Sequence, residues 1–126
     1  MKKIRTNTDE ISIDEHGIIH KKVTEGAHID IAELQESEEI CQGLSKQDKF
    51  LIMVDATAVH TMTPEAVKLL KEHIDTKRIA AAIISNRLGM RIMIDYFINV
   101  EKSTTPIKIF HSHEEALAWL LQFKKN

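Results

Sequence analysis

The chain is expected to fold as an α/β domain: a mixed sheet with an N-terminal antiparallel hairpin, then parallel strands covered by helices. Two observations lead there. From residue 50 onward, three apolar runs (50–55, 79–84 and 107–110) are each followed by a stretch of helical spacing. Those stretches are 64–74, 88–100 and one ending Ala116-Leu117-Ala118-Trp119-Leu120. Strand and helix alternating in this way is the pattern of parallel βαβ units. Ahead of them, Ile11, Ile13, Ile18, Ile19 and Val23 flank Glu15-His16-Gly17, which reads as a hairpin turning at a glycine able to take positive φ. The element order is then ββαβαβαβα, within one domain spanning 1–126.

The first helix starts at Asp30, with Glu33 three residues on, so that each side chain can accept the other's free backbone N–H. Ile29 and Leu34 add a hydrophobic staple. Ile31, Leu34, Cys41 and Leu44 fall on one face and Glu33, Glu36, Glu38 and Glu39 elsewhere, with Gly43 placed to help end the helix. Phe50-Leu51-Ile52-Met53-Val54 is continuous rather than alternating, as in a strand covered on both faces. After a loop over 56–62, Thr63 caps a second helix, Pro64 fits its first position and Val67, Leu70 and Ile74 form its inward stripe. The run 78–84 holds three consecutive alanines with no Gly or Pro before it, so one helix from Pro64 to Val100 is a competing reading. A strand is preferred because Asp75-Thr76-Lys77 interrupts the stripe and Ile83-Ile84-Ser85-Asn86 ends like a strand entering a loop. The following helix is apolar on more than one face. The last starts at Ser112 with Glu115 three residues on, and Ala116, Trp119, Leu120 and Phe123 face inward.

At 126 residues, 43% hydrophobic and 29% charged, the chain is of ordinary globular composition and can bury a core. A net charge of −2 gives no electrostatic case for nucleic acid or an anionic membrane, and only Lys124-Lys125 is locally basic. The single cysteine, Cys41, excludes an internal disulfide and a Cys-based zinc cluster, and reads as a small buried hydrophobe. The start, Met1-Lys2-Lys3-Ile4-Arg5-Thr6-Asn7, lacks the apolar core of a secretory signal, and no stretch is long enough to span a bilayer. No membrane insertion and a cytoplasmic location are expected.

The element order resembles the SpoIIAA-like group of the STAS superfamily, also described as STAS/SEC14-type domains. The points of likeness are the strand ending Leu51-Ile52-Met53-Val54-Asp55, the helix start Thr63-Pro64-Glu65-Ala66, and the ending Ile107-Lys108-Ile109-Phe110 through Glu115-Ala116-Leu117-Ala118-Trp119-Leu120. They cover most of the chain and are packing and capping motifs, not catalytic ones. The resemblance implies a bacterial regulatory domain. Classical members are anti-sigma-factor antagonists, switched by phosphorylation of a serine in an Asp-Ser-Ser-Gly motif. Here Thr63-Pro64-Glu65-Ala66 takes that place and the acceptor serine corresponds to Glu65, so this switch is chemically unavailable. Glu65 supplies a fixed negative charge where relatives carry a regulated one, and it also suits the positive end of a helix.

In a parallel sheet, ligands bind beyond the carboxyl ends of the strands. Those ends gather Asp55, Thr57, His60, Thr61, Ser85, Asn86, Arg87 and His111. Asp55 and His111 could form a base with its orienting partner, but nothing at nucleophile-elbow or phosphate-loop spacing accompanies them, and no enzyme is expected. His111 and His113 lack a third ligand, so no metal and no cofactor are expected, and Arg87 and Arg91 read as a solvated helix face rather than an anion grip. The apolar excess of 88–100 is the feature that points to function. Leu88, Ile92, Met93, Tyr96 and Phe97 are expected to form either a surface for a protein partner or a second copy, or a lid over a small apolar or lipid-like ligand. A non-catalytic regulatory or interaction domain is therefore the leading expectation, and the apolar-ligand module the alternative.

Overall fold

The structure, a computed structural model, describes residues 2–124; Met1, Lys125 and Asn126, and with them half of the basic Lys124-Lys125 pair, lie outside the described residues. The elements run β1 (Ile4–Arg5), β2 (Asp9–Ile13), β3 (Ile19–Val23), β4 (His28–Ile29), α1 (Ile31–Ser45) and β5 (Phe50–Asp55). They continue β6 (Thr61–Met62), α2 (Pro64–Lys77), β7 (Arg78–Ile84), α3 (Leu88–Asn99), β8 (Ile107–Phe110) and α4 (His113–Leu121). Six strands form one sheet in the order β1-β2-β3-β5-β7-β8. β1, β2 and β3 are antiparallel, while β3, β5, β7 and β8 run parallel. The expected mixed sheet is therefore present, with a third antiparallel strand, β1, added to the hairpin.

Residues 78–84 form a strand and not the middle of a long helix, because β5 and β8 pair with β7 on its two sides. Its alanines suit that central place. Ala80 and Ala82 lie under α4, in a core with Ile18, Leu51, Met53, Phe110 and Leu120. Ala81 faces the opposite side with Ile11, Ile19, Cys41, Phe50 and Ile52, under α1. Small side chains on the middle strand let helices approach closely from both faces. Helices α1, α2 and α3 cover one face of the sheet and α4 the other.

The caps follow their local chemistry. Asp30 and Glu33 form the reciprocal capping box, Thr63 Oγ1 accepts from the Ala66 amide, and Ser112 Oγ accepts from the Glu115 amide. Three boundaries differ from expectation. Gly43 lies inside α1, and the helix ends at Lys46, which takes the left-handed conformation at φ 58°. Asp75-Thr76-Lys77 is the last turn of α2, and Arg78 begins β7 with no intervening loop. The segment 56–62 contains β6, which pairs in parallel with β4. That two-stranded ribbon brings the α1 and α2 caps together, so Thr63 Oγ1 also donates to Asp30 Oδ1 over 2.8 Å.

Candidate functional site

The expected strand-end site is only partly assembled. Asp55, at the end of β5, accepts from the Thr57 amide and hydroxyl on Oδ1, while His113 Nε2 lies 3.0 Å from Oδ2. The histidine partner is thus His113 and not His111, which is exposed, because the first residue of α4, not the end of β8, reaches back over β5. Burial alone would raise the Asp55 carboxyl, but the Thr57 hydrogen bonds and the His113 charge hold it below its ordinary value. His60 Nδ1 donates to the Ala58 carbonyl, and Arg87 Nη1 reaches the same carbonyl over 3.4 Å. These two residues brace the β5–β6 loop instead of joining Asp55. Glu65 is exposed in the first turn of α2, two residues after the Thr63 cap. Among the described residues, no group of three or more His, Cys, Asp or Glu is placed to hold a metal ion.

Helix α3 divides the five residues expected to act as one surface. Phe97 is buried with Ile74, Ile83, Ile94 and Ile107, and Met93 packs half-buried against that group. Leu88, Ile92 and Tyr96 point outward instead, at 72%, 60% and 48% exposure, and Val100 continues the row at 63%. Four-residue spacing keeps a row on one side of a helix, so these four side chains form one exposed apolar ridge. They cannot line a cavity beneath the helix. Arg91 and Asp95, both exposed, flank the ridge, and no ion pair joins them to each other.

The space beneath α3 is lined by other residues. An interior cavity of ≈ 50 Å³ runs from Lys21 and Arg78 past Val54, Leu70 and Ile83 to Met90, Met93 and Ile94. His60, Met62, Met90 and Met93 also line an open recess of ≈ 190 Å³ between α2 and α3, which adjoins the cavity at the carboxyl ends of the parallel strands. Of the expected lid residues, only Met93 reaches either space.

A buried polar cluster closes the deep end, and helical periodicity does not reveal it. Glu38 is buried on α1, and Arg78 Nη1 and Nη2 donate to its two carboxylate oxygens while the guanidinium stacks over Phe50, 4.3 Å from the ring centre. Burial would raise the Glu38 carboxyl, but the Arg78 hydrogen bonds and charge outweigh it and keep the group ionised. Burial lowers His73, whose Nδ1 lies 3.7 Å from Glu38, against the pull of that carboxylate. Burial likewise pushes the Cys41 thiol up to about 11, so it is an inert packing residue. Asp9 accepts from Thr8 and Ser37 on Oδ2, while its buried Oδ1 has no hydrogen-bond partner among the described residues. The strand Ile19-His20-Lys21-Lys22-Val23 does carry a signal: period-two alternation puts Lys21 on the inner face with Ile19 and Val23.

A model of the DUF7793 family, described as a domain of unknown function, matches residues 11–124. The chain belongs to that family. Among solved structures, this DUF7793 chain is similar to an uncharacterized protein of the DUF3478 family with a SpoIIAA-like fold from Shewanella loihica PV-4. The two are 16% identical with a TM-score of 0.58, over 94% of this chain and 90% of that one. A protein with unknown function from Arthrobacter sp. FB24 is 21% identical over 88% of this chain and 97% of that one, with a TM-score of 0.32. No curated protein matches the chain. The likeness to the Shewanella protein establishes the fold: this DUF7793 chain has a SpoIIAA-like fold. No helix among the described residues is long and apolar enough to cross a membrane.

Proposed function

We propose that this DUF7793 protein is a non-catalytic interaction module that docks through the outer face of α3, and that the face receives a second copy of itself. The exposed ridge Leu88-Ile92-Tyr96-Val100 carries the reading, because contiguous apolar surface is uncommon on a monomer outside interaction sites. The ridge is symmetric about residue 94. A second α3 running antiparallel sets Leu88 against Val100 and Ile92 against Tyr96, the self-complementary match a two-fold interface requires. On the flank, Arg91 then faces Asp95 of the partner subunit, and Asp95 faces Arg91 of the partner subunit. Charge at the rim in this arrangement favours one orientation over others.

A non-catalytic role is supported by Asp55, whose two oxygens are already engaged by Thr57 and His113. Glu65, exposed at the start of α2, carries a fixed charge where a switched serine would stand. A lone buried thiol suits the expected cytoplasmic location.

Charge exchange tests the pairing. Arg91→Glu and Asp95→Lys should each weaken self-association, because each variant opposes like charges across its own two-fold axis. An equal mixture of the two should restore it, since both cross-pairs become attractive. Exposed pairs are worth about 0.2–1 kcal/mol, so a few-fold change by light scattering is expected for each. Mixed and unmixed samples behaving alike would refute the antiparallel arrangement. The cavity beneath the same helix favours a second reading, binding of a small apolar molecule there.

A further inference from the structure

Lys21 is only 8% exposed and lines the cavity beneath α3, and its side chain makes no hydrogen bond or ion pair among the described residues. The side chain has given up most of its water and its ammonium has gained no protein partner, though Nζ keeps some contact with solvent, so it stands ready to pair with an anion entering the cavity. Its neighbours do not serve. Glu38 is held by both nitrogens of the Arg78 fork, and Asp9 is tied to Thr8 and Ser37 by Oδ2. Asp9 lies diagonally across the β2–β3 ladder from Lys21, on the same face, yet forms no ion pair with it. The remaining wall is aliphatic side chains and methionine, with His60 where the cavity meets the recess.

We infer that the cavity and its recess take a short-chain monocarboxylate, with the carboxylate at Lys21 and the apolar body extending between α2 and α3. The volumes set the size. The interior ≈ 50 Å³ is smaller than the ~150 Å³ space that holds benzene, so a bound body must extend into the ≈ 190 Å³ recess. Together they fall below the ~300–1,000 Å³ of sites for drug-sized molecules, which favours an acid of a few carbons. Met62, Met90 and Met93, unbranched and polarizable, can repack around such a chain where they border both spaces. Lys21 supplies the charge-assisted contact that selects an acid over an apolar molecule of equal length.

This inference rests on the second reading, ligand binding beneath α3, and not on self-docking. Hexanoate and hexanol are the probes, titrated by calorimetry against the full chain and against Lys21→Met and Met93→Trp. Circular dichroism confirms that each variant is folded. The wild-type chain should prefer hexanoate by roughly tenfold. Lys21→Met should abolish that preference while retaining hexanol, and Met93→Trp, filling the recess, should weaken both. If hexanol binds as well as hexanoate, or Lys21→Met keeps the preference, the assignment of the carboxylate to Lys21 is overturned and an apolar site remains. If neither probe binds, or Met93→Trp leaves both unchanged, ligand binding beneath α3 is overturned as well.

Discussion

Removing the Glu38 carboxylate would leave the Arg78 guanidinium charged, 5% exposed and held by the face of Phe50 and a long hydrogen bond, 3.5 Å, to the Lys77 carbonyl. Breaking one side of a buried pair costs far more than the pair contributes, because the surviving charge keeps its desolvation penalty. Glu38→Ala should therefore destabilise the protein by about 3–5 kcal/mol in urea unfolding, and Glu38→Leu with Arg78→Met should recover most of that loss. A single-variant loss below about 1 kcal/mol would mean the pair is solvated. At this scale the sequence is least informative. Helical spacing sends Glu38 to the solvent side of α1, and what brings it inside is an arginine 40 positions away. The pairing of Asp55 with His113 instead of His111 is a similar case, set by where α4 begins over the sheet.

Elements were legible wherever their ends are written in local chemistry. Asp30 with Glu33, Thr63 with Pro64, and Ser112 each satisfy free amides within three residues of themselves, so the first turns of α1, α2 and α4 can be read directly. The two-residue strands β1, β4 and β6 could not be read. Such strands have no periodicity of their own and exist through distant partners, as His28 does opposite Thr61. The end of α1 differs from the sequence expectation for a further reason. Gly43 looked like a terminator, but the left-handed position falls to Lys46. A side chain there is strained where glycine is not, so Lys46→Gly should raise stability by about 0.5–1 kcal/mol in urea unfolding. A loss of stability would show that the Lys46 side chain contributes more than its backbone costs.

The whole molecule sets three helices on one face of the sheet and one on the other, and this arrangement gives α3 its two roles. With Ile94 and Phe97 inward, α3 roofs the cavity, and the opposite ridge faces solvent with nothing among the described residues to cover it. The spacing in the sequence puts Leu88, Ile92, Tyr96 and Val100 on one side of 88–100, with Met90, Met93, Ile94 and Phe97 extending around it, but only the packed sheet fixes which side faces in. The most direct measurement of the central claim is sedimentation velocity of the full chain at rising micromolar concentration, alongside Ile92→Glu. Ile92 is 60% exposed, so the substitution leaves the core intact while placing a charge at the centre of the ridge. Docking of α3 on α3 predicts a concentration-dependent dimer for the wild type and a monomer of unchanged fold for the variant. A wild-type chain that sediments as a monomer throughout, or a variant that dimerises equally well, would contradict it.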